Sequence, residues 1–90
     1  MLVKGDFQKI QTVTDNITLF VKDSIQVIIF YNADGTYSAL LIIRNTPIVK
    51  FISSKQDYVL YDKNEMPVKS EKDALQVVID YLNGVSSKLN

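Results

Sequence analysis

The chain has no cysteine and no histidine, only three glycines, two prolines and a single arginine. Lack of cysteine removes disulfides, thiolate metal sites and thiol chemistry, and fits a reducing compartment. Lack of histidine removes the most common general base and the most common transition-metal ligand. Gly5, Gly35 and Gly84 are too dispersed to build a phosphate-cradling loop. Net charge is missing as well: ten basic residues balance ten acidic ones, so no overall field draws in nucleic acid or anionic lipid. No apolar run approaches the roughly 20 residues that span a bilayer, and MLVKGDFQKI has no continuous apolar segment of the signal-peptide kind. The expectation is a cytoplasmic protein with no membrane partner.

What is present is a hydrophobic fraction of 47% with 22% charged residues, the balance of a soluble globular chain. Ninety residues predict one domain, 1–90, because a chain of this size buries only about 60 to 65% of its unfolded surface and has none to spare for a second core. Lysine outnumbers arginine nine to one, a usage that AT-rich coding produces.

The organising stretch is Ile25 to Ile43, two apolar runs around Asn32-Ala33-Asp34-Gly35. Gly35 takes positive φ without steric cost, so Ala33-Asp34-Gly35 suits a three-residue hairpin loop that pairs Asn32 with Thr36. Counting outward, Tyr31 faces Tyr37, Ile29 faces Ala39, Val27 faces Leu41 and Ile25 faces Ile43. Paired residues share a face, so these side chains lie together. The opposite face gathers Ile28, Phe30, Leu40 and Ile42 inside a polar margin.

Ahead of this hairpin, Phe7 to Val13 alternates weakly as a first strand, and Ile17 to Val21 alternates clearly as a second. A three-residue loop at Lys22-Asp23-Ser24 sets Val21 against Ile25, Leu19 against Val27 and Ile17 against Ile29. That aligns the apolar sets and is the expected register; a two-residue loop at Asp23-Ser24 would instead place Lys22 opposite Ile25. Beyond the hairpin, Arg44-Asn45-Thr46-Pro47 reads as a turn, Ile48 to Ile52 as a strand, and Tyr58 to Tyr61 as a short strand. Asp62 to Glu65 turns again, and Pro67 confines any pairing of Met66 to Val68 to a sheet edge.

The carboxy-terminal segment reads as a helix. Ser70 is the N-cap, Glu71 and Asp73 complement the positive end of the dipole, and Leu75, Val78, Ile79 and Leu82 fall on one face, with Gly84 as the expected C-cap. Lys72, Gln76, Asp80 and Asn83 fall on the wet side. Short strand connections require an antiparallel arrangement. The predicted fold is therefore α+β: an antiparallel sheet of about five to six strands built on hairpins, followed by one C-terminal α-helix packed on one face.

One helix covers one face of a sheet. The expected register leaves Phe20, Ile28, Phe30, Leu40 and Ile42 on the other, and burying five such side chains is worth roughly 7 to 15 kcal/mol, comparable with the stability of a small domain. The chain itself can supply the cover, by curling its first strand or Ile48 to Tyr61 over the face. Otherwise another protein supplies it, either a second copy or a larger target. The functional expectation follows the second course: a non-catalytic protein–protein interaction module, self-associating or acting as a stoichiometric binder or inhibitor, of a size that a mobile element would carry. Its interface would be Phe20, Ile28, Phe30, Leu40 and Ile42, rimmed by Lys22, Gln26 and Arg44.

Other chemistries fit less well. Aligning Gly35 with the glycine of an EF-hand puts Phe30 and Leu41 at ligand positions, and Asp62, Asn64 and Glu65 fall short of the donors calcium wants. Asp57, Asp62, Asp73 and Asp80 are scattered over turns and a helix's polar side, so no carboxylate pair is set across a substrate. No enzyme activity, small-molecule substrate, cofactor or metal is expected. The alternative from another class is a single-stranded nucleic-acid-binding sheet, with Phe20, Phe30, Tyr58 and Tyr61 stacking bases and Lys22, Lys50, Lys55 and Lys63 meeting phosphates.

Overall fold

In a computed structural model the chain forms a five-stranded antiparallel sheet followed by one helix that packs against it. The structure describes residues 1–11, 14–44 and 48–89. A 3-10 turn at Lys4–Asp6 leads into β1 (Gln8–Gln11), β2 (Ile17–Lys22), β3 (Ile25–Tyr31), β4 (Tyr37–Ile43), β5 (Ile48–Phe51) and α1 (Glu71–Leu89). The strands lie in sequence order, so each pairs with the one before it. The fold class read from the sequence is thereby established, with five strands. Thr12, Val13 and Asn45-Thr46-Pro47, expected to end the first strand and form a turn, lie outside the described residues.

The central hairpin closes as its turn chemistry dictates. Asn32 N donates to Thr36 O at 2.8 Å, Gly35 N donates to Asn32 O at 3.0 Å, and Gly35 takes a φ of 87°. Tyr31 pairs with Tyr37 and Ile25 with Ile43, the expected register.

The β2–β3 connection differs from expectation. Lys22 pairs with Ile25, leaving a two-residue loop at Asp23-Ser24. Asp23 supplies the positive φ, 52°, that primed hairpin turns demand at their first loop position, and aspartate tolerates that region better than most residues. Because side chains alternate with period two, the shift of one residue moves all of β2 to the opposite faces. Phe20 goes under the helix and is buried, whereas Ile17, Leu19 and Val21 go to the far side.

The core lies between α1 and the inner face of the sheet. Val27, Ile29, Ala39 and Leu41 meet Ala74, Leu75, Val78, Ile79 and Leu82. Ser70 caps the helix, its Oγ accepting from Asp73 N at 3.1 Å. Gly84 does not end the helix, which continues to Leu89; its φ is not positive, so the expected C-cap is replaced by further helical turns. Asn83 is also not a wet-side residue: it bonds the main chain of Leu2 at the start of the chain.

Tyr58 to Tyr61 is not a strand. Gln56 and Tyr58 adopt left-handed φ values of 61° and 65°, and only Tyr61 bridges Pro67. Beyond β5 the chain makes an excursion and returns at Leu60, whose N donates to Tyr37 O at 2.7 Å, so that its side chain closes the core fully buried.

Candidate protein-interaction face

Pairing across the sheet arranges side chains in rows. The inner row through the middle of the core is Lys9, Phe20, Val27, Leu41 and Lys50, one residue from each strand. Its ends are charged and its centre is apolar. Lys9 Nζ pairs with Glu71 Oε2 at 3.1 Å, and Lys50 Nζ lies 5.1 Å from the centre of the Tyr81 ring. The two lysines therefore bracket the helix, and the apolar width of this row matches a single helix about 10 Å across.

The outer row above it is Ile10, Leu19, Ile28, Leu40 and Phe51. It is apolar from one edge of the sheet to the other. Ile17 and Phe30 flank it on one side, Val21 and Ile42 on the other. None of these belongs to the buried core; Ile10 and Phe51 are 40% and 44% exposed. Among the described residues, Gln8, Gln26 and Ser38 supply the polarity of this face and no charged side chain lies on its strands. Ser38 is buried and accepts from Asn32 Nδ2 at 2.9 Å, so its burial leaves no unmet hydrogen bond.

Of the residues expected to form an interface, Ile28, Phe30, Leu40, Ile42 and Gln26 share this outer face. Phe20 and Lys22 do not: the two-residue loop turns both to the helix side, where Phe20 is core and Lys22 pairs with Asp23 at 3.2 Å. Arg44 sits in the turn after β4 at a φ of 58°, its N donating to Ser24 O. Ile10, Ile17, Leu19, Val21 and Phe51 are the members that the sequence reading placed elsewhere or left unplaced. For Ile17, Leu19 and Val21 the signal that would have found them is Asp23, a residue able to turn the chain in two positions.

The remaining polar clusters are occupied with local structure. Asp34 Oδ1 accepts from Thr36 Oγ1 at 2.6 Å and from Thr36 N at 3.0 Å; the hydroxyl first and the amide second hold its carboxyl below the usual range. Asp57 accepts from the Tyr61 hydroxyl, Val59 N and Ser53 Oγ, which lowers its pKa mainly through the tyrosine and raises that of Tyr61 in return. Tyr37 is raised by burial, then by the Tyr31 and Glu71 charges.

Asp62 Oδ1 accepts from Asn64 N at 2.8 Å and Met66 N at 3.0 Å, binding its own turn rather than a cation. A groove of about 460 Å³ runs between this turn and α1, lined by Asp62, Lys63, Met66, Asp73, Val77 and Asp80 among others. Its acids are interspersed with lysine and apolar side chains. Among the described residues no group of three or more acidic side chains is placed to hold a metal ion, and no helix is long and apolar enough to cross a membrane.

Compared with protein-family models, curated proteins and solved structures, the chain matches none.

Proposed function

We propose that this protein is a non-catalytic interaction module that docks another protein on the outer face of its sheet. The observation that carries this reading is the unbroken row Ile10, Leu19, Ile28, Leu40 and Phe51, with Ile17, Val21, Phe30 and Ile42 beside it. A contiguous apolar face on a small domain marks an interaction surface, since leaving it in water forgoes about 1.5 to 3 kcal/mol for each large side chain. The polar members Gln8 and Gln26 provide a margin of the kind that rims protein interfaces.

The nucleic-acid alternative draws less support. Four of the five residues in the row are aliphatic, and Lys9, Lys22 and Lys50 fall at positions of the opposite face, away from where bases would stack.

A photo-reactive benzophenone side chain placed at Leu19, and separately at Lys72 on α1, tests the reading in the purified chain and in lysate of the cells that make it. Cross-links from position 19 to protein, whether a copy of the chain or another polypeptide, with few from position 72, support a docking face. Equal, sparse labelling from both positions overturns it.

A further inference from the structure

Building on that reading, we infer that the occupant of the outer face is a second copy of the chain, stacked sheet to sheet. The argument is one of width. A helix is about 10 Å across and shelters two strands or so, which is what α1 does on the inner face, where Lys9 and Lys50 limit the greasy centre to that width. The outer row has no such limits, because Ile10 on β1 and Phe51 on β5 carry it to both edges. Five strands at their usual spacing measure about 24 Å, a breadth that another sheet covers and a single helix does not. The chain contains a sheet of that breadth whose matching face is half-buried at its centre and exposed at Ile10 and Phe51.

Area and charge agree. With a mean strand length of five to six residues the footprint is roughly 450 Å² per copy. Accessible surface exceeds the flat footprint, so two copies together remove upward of about 1,000 Å², where specific interfaces begin. The described outer-face positions on the strands are uncharged, so apposing a face with its own copy sets no like charges against each other. A two-fold axis near Ile28, the third residue of the five-member row, brings Leu19 and Leu40 of each copy over the same residues of the other and closes the assembly at two. Face-to-face sheets then lie about 10 Å apart with strands inclined by about 30°.

Sedimentation equilibrium of the full chain from about 1 to about 100 µM is the test, over a range in which an interface of this size registers. The expected result is a concentration-dependent mass reaching twice that of the monomer. Leu19→Lys and Ile28→Lys should weaken association at least about 100-fold, since each buries an unpaired charge in both copies, while leaving the far-ultraviolet circular dichroism unchanged. Should both variants unfold, single-cysteine chains Ile28→Cys and Lys72→Cys, treated with a short bis-maleimide, decide instead: dimer is captured at position 28 and not at 72. A wild-type chain that stays monomeric at about 100 µM overturns the second copy, as does open-ended polymerisation. Benzophenone cross-links from position 19 to a different polypeptide would then leave the wider docking reading standing, whereas their absence would remove both.

Discussion

Asn83 and Leu2, 81 residues apart, exchange two hydrogen bonds: Leu2 N donates to Asn83 Oδ1 at 2.9 Å, and Asn83 Nδ2 donates to Leu2 O at 3.1 Å. This pair ties the first residues to the fourth turn of α1 and holds the Lys4–Asp6 turn, and with it Phe7, against the helix.

Asn83→Ala removes both bonds and strands two main-chain groups of a partly buried residue. A loss of about 1 to 2 kcal/mol is expected, read as a lower urea midpoint with an unchanged slope. Amide exchange should quicken at Leu2 and Phe7 while β3 and β4 keep their protection. Uniform quickening throughout would show that the pair serves global rather than local stability.

Gly84→Ala should stabilise the protein by about 0.5 to 1 kcal/mol. A Cβ at Gly84 meets nothing within 4 Å, and the residue lies inside α1 without positive φ, so alanine brings its helical propensity at no steric cost. Thermal melting reads the sign directly. A drop in melting temperature would mean that Gly84 takes the left-handed conformation of a helix stop.

Leu60→Ala should cost about 2 to 5 kcal/mol, because a fully buried leucine leaves a cavity as well as lost transfer energy. At about 4 to 8 °C of melting temperature per kcal/mol for a domain this small, calorimetry resolves it easily. A loss under about 0.5 kcal/mol would show that Leu60 is a surface residue of the returning loop.

Stability should be flat between about pH 5 and 9 and fall on both sides. Asp34 and Asp57 have folded pKa values below the ordinary aspartate value of 3.8, so their contribution is complete above that value and is lost as pH falls through the depressed one. Tyr37 and Tyr61 are raised above 10.0, so theirs holds below that value and is lost as pH climbs through the folded one. Replacing both aspartates, Asp34→Asn with Asp57→Asn, should lower the urea midpoint at neutral pH, and the gap to the wild type should narrow as acid protonates the parent carboxyls. A constant offset across that range would remove the carboxylate charge as the cause.

The β3–β4 hairpin was legible because Gly35 dictates the loop, and the loop dictates every pairing outward to Ile25 and Ile43. The helix was legible from Ser70 and from the spacing of Leu75, Val78, Ile79 and Leu82. The β2 register was not. A sheet apolar on both sides gives no polarity cue against a one-residue slip, and aligning Ile17, Leu19 and Val21 with the helix side looked favourable when the turn could hold two residues or three. Phe20 therefore left the candidate face and Leu19 entered it. Left-handed φ values at Gln56 and Tyr58, without glycine, likewise concealed the excursion that delivers Leu60 to the core.

Among the described residues the two strands at the margins of the sheet are four residues long, and each carries a lysine directed toward the helix, Lys9 paired with Glu71 and Lys50 over the Tyr81 ring. Short, charged margins are poor templates for adding backbone from a neighbouring molecule, which is how amyloid seeds propagate. Growth by strand addition is thereby discouraged, so concentrated solutions of this chain should resist fibril formation even though one face of its sheet is apolar from edge to edge.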